Sequence, residues 1–409
     1  MSHRKKIELL APAGNFEKLE IAVHYGADAV YIGGKNFSLR NFSGNFSKKE
    51  LEEAIQFAHS RNVKVFIACN IFPRNHEISP LKEYLGHLAK IAPDAVIVAD
   101  PGVFIVARNV APKIDIHLST QANTTNIESV RFWHQLGAKR INLARELSLS
   151  EIQAISQDGE IDIEAFVHGA MCISYSGRCL LSSFMTMRDS NRGMCSHPCR
   201  WKYAVVEESR QGQYYPIGED SRGTYVFNSK DLCMIDHIPE MVGSGINSFK
   251  IEGRMKGINY LASTVKVYRE ALDTYYRDPD TYEVKPEWKK ELAKVGAREF
   301  CTGFYFGNPS ETIPFYKVDH SINHQLFIGK ILRVIDHNKA LVEVRNKVFK
   351  GESVEVLAQK GPSREDVILD MVASNGERPD YAQPGSLITM SFNSNCFANE
   401  LLRRQEARL

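Results

Sequence analysis

No run of 18 apolar residues occurs anywhere in the chain, which excludes a helix crossing a bilayer. The start, MSHRKKIELLAPAG, holds one short apolar run, Ile7 to Ala11, with Glu8 inside it, too short and too charged for a signal peptide. Cytoplasm is therefore the expected compartment, with no membrane partner. An excess of one charge is lacking too: 51 Lys and Arg stand against 49 Asp and Glu, a balance that neither requires nor excludes nucleic acid. No H-E-x-x-H, no G-x-S-x-G and no cysteine paired by motif with a histidine is present, so the motifs give no ground for proteolysis. Low-complexity tracts and internal repeats beyond a βα period are absent.

What is present is a chain of 409 residues, 43% of them hydrophobic, enough for a substantial core and for two domains. Short β-branched runs alternate with amphipathic helical stretches over the first 170 residues. Seven strands are expected, at Ile7–Leu10, Ala29–Ile32, Lys64–Ala68, Ala95–Val98, Ile114–His117, Arg140–Leu143 and Ile161–Phe166, and an eighth at Ser248–Glu252. Ser47 with Glu50 and Ser148 with Glu151 form capping boxes, and Asn15 and Asn126 stand at N-cap positions. Eight βα units, with no G-x-G-x-x-G after the first strand, favour a TIM-like (β/α)8 barrel over a doubly wound sheet. The expected organisation is a catalytic barrel over 1–295 with an insertion at 168–247, a linker over 296–324 and a small C-terminal antiparallel β-barrel of five or six strands over 325–409.

Half of the eight cysteines, Cys172, Cys179, Cys195 and Cys199, fall in the insertion between strands seven and eight, in the spacing C-x6-C-x15-C-x3-C. A cytosolic chain has little use for disulfides, so clustered thiols among Gly, Ser and Arg point to a metal. Zinc sites favour C-x2-C knuckles, absent here, whereas longer gaps suit the separated corners of a cubane iron–sulfur cluster. Zinc, and reduced thiols without metal, remain the alternatives, and Cys233 is the reserve ligand for Cys199. Cys69, Cys301 and Cys396 read as small core residues.

The segments ELLAPAGNFEKLEIAVHYGADAVYIGG, SLRNFSGNFS, FVHGAMCISYSGRCLLSS, CSHPCRW, NSKDLC and FKIEGRMK together resemble the collagenase-like peptidase family, in particular its tRNA-hydroxylating branch, over nearly the whole chain. The resemblance implies a 4Fe–4S cluster on Cys172, Cys179, Cys195 and Cys199. It also implies prephenate-dependent, oxygen-independent conversion of a tRNA wobble uridine to 5-hydroxyuridine, with prephenate as hydroxyl donor. A collagenase-like peptidase, or a non-catalytic tRNA-binding partner of a paralogous subunit, stands as the alternative.

A pyrimidine carbon is hydroxylated only with redox help, which a cluster can supply and structural zinc cannot. Two carboxylates on a donor call for guanidinium or ammonium groups. Arg145 and Arg254 at strand ends, Lys250, and Arg178, Arg188 and Arg200 beside the thiols are the candidates, with solvated or phosphate-facing arginines as the plain alternative. Glu252 alternates with Lys250 and Arg254, while Asn70, Gln121 and His168 follow strands three, five and seven, where barrel enzymes gather active-site groups. His168 is a candidate proton donor or cluster orienter. Tyr175, among basic residues, is a candidate for stacking on a base.

Overall fold

A computed structural model describes residues 6–39, 44–171, 178–188, 190, 193–198, 204–206, 214–216, 230–296, 300–307 and 325–405. Eight strands run in parallel around a ring: β1 (Glu8–Pro12), β2 (Ala29–Gly33), β3 (Lys64–Cys69), β4 (Ala95–Val98), β5 (Asp115–Leu118), β6 (Arg140–Asn142), β7 (Asp162–Ala170) and β8 (Ser248–Ile251). The ring closes because Ser248 of β8 pairs with both Glu8 of β1 and Glu164 of β7. The expected barrel is the observed one.

Helices α1 (Phe16–His24), α2 (Lys48–His59), α3 (Ile78–Ile91), α4 (Pro101–Val110), α5 (Ile127–Gln135) and α6 (Leu149–Ser156) follow β1 to β6 in turn. Their starts are set by local chemistry. Asn15 Oδ1 accepts the Lys18 N–H at 3.0 Å, Asn126 Oδ1 accepts that of Ser129 at 2.9 Å, and both capping boxes are formed. The β7–β8 connection contains α7 (Leu181–Thr186) and α8 (Ile238–Gly243), and β8 is followed by α9 (Ile258–Arg277) and α10 (Pro286–Val295).

Alternation along each strand sorts side chains between two layers. Leu9, Val30, Val65 and Ile67 point outward into the core shared with the helices, while Leu10, Tyr31, Phe66 and Ile97 form a separate cluster inside the ring. β7 runs four residues past the expected Phe166, to Ala170, because Asp231–Cys233 pairs antiparallel with Gly169 and its neighbours and extends the ladder. Phe300–Cys301 then pairs with Asp231–Cys233, and the Tyr305 hydroxyl donates to the Phe166 carbonyl at 2.6 Å. Residues 300–307 therefore pack on the barrel.

The C-terminal region contains β9 (Gln325–Asp336), β10 (Lys339–Val344), β11 (Ser353–Leu357), β12 (Arg364–Val367), β13 (Asp370–Ala373), β14 (Leu387–Ser391) and β15 (Leu401–Gln405). They form one antiparallel sheet in the order β12-β11-β15-β9-β10-β14-β13, seven strands where five or six were expected, and its outer strands do not pair with each other. Bulges between Ile331 and Arg333 and between Val334 and Asp336 bend β9, so the sheet curls into a half-barrel.

A charged seam joins this half-barrel to the barrel. Arg403, fully buried, donates to Glu291 of α10 at 2.6 and 3.0 Å, to Glu355 of β11 and to Ser263 of α9 at 3.1 Å. The Tyr25 hydroxyl of the barrel side donates to the Leu357 carbonyl at 2.8 Å. Among the described residues no helix is long and apolar enough to cross a membrane.

Candidate active site at the barrel mouth

The C-terminal ends of the parallel strands define the face on which barrel enzymes place their chemistry. A cavity of about 70 Å³ opens there, lined by Tyr31, Leu39, Asn70, Gln121, Asn142, Arg145, Phe166, Lys250, Glu252 and Arg254, among others. A larger cavity of about 1160 Å³ lies at the opposite end of the barrel and along the seam, lined by Glu8, Lys64, Arg140, Lys266 and Lys360 among others. Its five carboxylates, Glu8, Glu20, Asp28, Glu270 and Asp273, are all held in ion pairs, and it lies away from the strand ends. The mouth is therefore the candidate site.

Beneath the mouth the barrel interior carries charge, which its β-branched runs do not announce. Lys250 Nζ stands 2.7 Å from Glu164 Oε1, and Arg140 reaches Glu164 Oε2 at 3.5 Å and Glu8 Oε1 at 2.5 Å. Burial raises the Glu8 pKa, but Arg140 and Lys64 outweigh it and hold the carboxyl below its ordinary range. Burial also pushes His117, edge-on to Phe66, well below the ordinary histidine range, and the nearby cations Arg140, Lys250 and Lys64 add to this. His117 is thus neutral. The ladder Glu8–Arg140–Glu164–Lys250 fixes Lys250 upright, with its ammonium 4.6 Å from the centre of the Tyr31 ring.

At the rim, Asn70 Nδ2 donates to Gln121 Oε1 at 2.6 Å, and Ser119 Oγ donates to the same oxygen at 3.1 Å. Asn70 Oδ1 in turn accepts the Leu39 N–H at 3.3 Å. Gln121 therefore has its oxygen occupied, and its amide nitrogen has no partner among the described residues. Asn142, 2% exposed, has an Oδ1 with no hydrogen-bond partner among the described residues. Arg145 lies over the Phe166 ring, 3.9 Å from its centre, and donates from Nη1 to the Ala170 carbonyl at 2.7 Å. Its Nε is buried without a partner, and no carboxylate pairs with it among the described residues.

Arg254 is positioned differently. Its Nη2 donates to Ser38 Oγ at 2.6 Å and Asn45 Oδ1 at 3.2 Å, which straps the β2–α2 loop across the rim. Gly33 leaves room for this strap, since a Cβ there would lie 2.7 Å from both Arg254 Nη1 and Ser38 Oγ and would displace them. Glu252 reaches the Tyr31 hydroxyl at 3.4 Å, and the expected alternation of Lys250, Glu252 and Arg254 brings all three to the cavity although β8 ends at Ile251.

His168 stands elsewhere. It is buried in the wall between β7 and α9, with Tyr260, Tyr268 and Phe300 around its ring and its Nδ1 3.4 Å from the Tyr268 hydroxyl. Burial, with Lys256 adding to it, lowers its pKa to about 3, so near neutral pH it is uncharged and holds no imidazolium proton for acid catalysis. The extension of β7 is the reason: His168 is a strand residue in register with Cys233, not a loop residue. Cys233 shares that wall, and burial pushes its thiol up to about 12, which suits a core residue.

Of the four clustered cysteines, Cys179 and Cys195 are described, both part-exposed. Cys195 Sγ accepts the His197 N–H at 3.4 Å, with His197 in the left-handed region at φ 57°. A part-exposed sulfur receiving a backbone N–H is a donor suited to an iron–sulfur cluster. Cys172, Cys199, Tyr175 and Arg200 lie outside the described residues, and among the described residues no group of three metal-ligating side chains converges. The insertion reaches the mouth: at Gly193, φ 86°, a Cβ would lie 2.8 Å from the backbone of Leu39, a cavity-lining residue. Arg188 donates from Nε to the Met194 carbonyl at 3.0 Å, and Arg178 is exposed; neither lines the cavity.

Asn142 and the Glu164–Lys250 pair escaped the sequence reading as a site. The available signal was polar residues at inward positions of otherwise apolar strands, Asn142 two residues after Arg140 and Glu164 two before Phe166.

Residues 14–313 match Peptidase family U32, and residues 323–403 match the Peptidase family U32 C-terminal domain. Over 403 residues the chain is 39% identical to tRNA hydroxylation protein P1 of Bacillus subtilis (strain 168), covering 98% of this chain and 95% of that protein. It is 36% identical to tRNA hydroxylation protein P of Escherichia coli (strain K12), over 87% of each. It is also 37% identical to the 23S rRNA 5-hydroxycytidine C2501 synthase of that organism, over 66% of this chain and 40% of that protein. With both the barrel and the half-barrel matched, the chain belongs to peptidase family U32, as its resemblance to the collagenase-like peptidases implied.

Proposed function

We propose that this chain hydroxylates RNA, converting the wobble uridine of tRNA to 5-hydroxyuridine without molecular oxygen, with prephenate as hydroxyl donor and a 4Fe–4S cluster held by Cys172, Cys179, Cys195 and Cys199. Similarity to proteins named for tRNA hydroxylation extends over both domains. The observation that carries the reading is the composition of the mouth. Arg145 offers an uncompensated guanidinium and Lys250 a fixed ammonium opposite a wall of carboxamides, a set that suits a carboxylate-bearing donor together with a neutral heterocycle.

Arg145 is assigned to a donor carboxylate through Nε and its remaining terminal N–H groups, its Nη1 staying on Ala170. The Tyr31 and Phe166 rings exclude water beside that carboxylate and strengthen the pairing. Glu252, the one carboxylate among the described cavity-lining residues, is assigned to take the proton that leaves pyrimidine C5 as the donor's hydroxyl oxygen bonds there, the donor's C–O bond breaking and the donor keeping the two electrons that the base gives up. Arg254 acts by holding the rim loop rather than by touching substrate. When bound, the cluster supplies one-electron chemistry that none of these side chains can supply.

Protein purified without oxygen is expected to be brown, with about four irons per chain, and to lose its colour in Cys179→Ser. A colourless, zinc-loaded wild type, or tRNA nucleosides unchanged on deletion of the gene with related enzymes also removed, would overturn the reading.

A further inference from the structure

The polar atoms left over at the mouth form a pattern of their own. Gln121 cannot turn its carboxamide, because its oxygen is held by Asn70 Nδ2 and Ser119 Oγ, so it faces the cavity as a donor. Asn142 sits on a strand, almost wholly buried, and its Oδ1 is an acceptor without a described partner. A buried carboxamide oxygen left unpaired in a strand costs stability unless a ligand completes it.

Gln121 and Asn142 line the same cavity from the ends of the paired strands β5 and β6, and a donor and an acceptor so placed are complementary to one edge of uracil, whose N3–H gives a proton and whose O4 accepts one. Cytosine presents the reverse, an acceptor at N3 and a donor at N4. We infer that Asn142 and Gln121 read the Watson–Crick edge of a target uracil, Asn142 Oδ1 taking the N3–H and Gln121 Nε2 giving to O4, and that this pair sets uridine against cytidine. Asn70 and Ser119 are positioning residues that lock Gln121 in the donor orientation. The Phe166 and Tyr31 rings on the same cavity offer apolar walls for a base swung out of its strand. The inference rests on the RNA-hydroxylation reading and adds the base selectivity of that site.

The test uses anaerobically purified wild-type chain and three RNA hairpins that differ at one loop position, carrying uridine, 3-methyluridine or cytidine. Binding is measured by fluorescence anisotropy. The uridine hairpin is expected to bind about tenfold more tightly than the other two, the loss of one paired base edge. Equal affinity for all three overturns the inference while leaving RNA binding intact. Absence of binding by every hairpin removes the RNA reading itself, and the inference with it. A second arm replaces the acceptor. Asn142→Leu, which is close in volume and carries no acceptor, is expected to bring the uridine hairpin down to the affinity of the other two. An Asn142→Leu protein that folds and keeps the full wild-type preference overturns the assignment to Asn142. If that variant does not fold, Gln121→Glu and the 3-methyluridine hairpin on wild type decide the matter.

Discussion

Two regions of this molecule are built around a buried or half-buried arginine, and they use it in opposite ways. At the seam, both terminal nitrogens of Arg403 are occupied by Glu291 and Glu355. At the mouth, Arg145 gives one terminal nitrogen to a backbone carbonyl and meets no carboxylate among the described residues. The seam arginine is neutralised in place and serves cohesion. The mouth arginine keeps its charge, and with Asn142 and Gln121 it presents hydrogen-bonding capacity that only a ligand completes. Compensated charge serves cohesion at the seam, and the uncompensated guanidinium lies at the site proposed for substrate.

The largest effect expected from breaking this contrast is at the seam. Arg403→Ala leaves Glu291 and Glu355 buried without their cation and is expected to destabilise the protein by about 3–5 kcal/mol in chemical denaturation. A loss below about 1 kcal/mol would show that the seam is not closed to water.

Acid provides the second route. Burial alone would raise the Glu291 pKa, but the hydrogen bonds and charge of Arg403 dominate and hold it at about 2 against an ordinary 4.5. Because the folded pKa is the lower one, the stabilisation is fully present above pH 4.5 and is lost as pH falls towards about 2. Roughly 3 kcal/mol is expected to disappear across that window, and Glu291→Gln should flatten that part of the stability curve. An unchanged curve in Glu291→Gln would assign acid unfolding to other groups.

A smaller effect is expected away from both regions. Ser148→Ala removes the side-chain cap of α6 and should cost about 1 kcal/mol in urea unfolding with no change in hydroxylation per folded molecule. It calibrates what an ordinary barrel interaction is worth.

The helix caps at Asn15, Ser47, Asn126 and Ser148 were legible in the sequence because each depends on residues three apart. The barrel was legible because β runs recur at one βα interval. The surroundings of His168 and Arg254 were not. His168 looked like a loop residue because the antiparallel strand that lengthens β7 comes from Asp231–Cys233, more than 60 residues along the chain. The hold of Arg254 on the rim was hidden because its partners, Ser38 and Asn45, sit more than 200 residues earlier. Asn142 was passed over because an asparagine ending a three-residue strand has no periodicity of its own. Tertiary pairing decides such residues, and sequence spacing does not encode it.

The smallest expected effect on stability coincides with the largest on function, and this makes Arg145 the sharpest probe. Arg145→Ala should change folding free energy by no more than about 1 kcal/mol, since no carboxylate partner is lost. The decisive measurement is the 5-hydroxyuridine content, by mass spectrometry, of tRNA from a strain lacking its own uridine hydroxylases and carrying either wild type or Arg145→Ala. Wild type is expected to restore the nucleoside and the folded variant to leave it near background. Restoration by Arg145→Ala to the wild-type level, or none by wild type, would contradict the assignment of the mouth as the site of RNA hydroxylation.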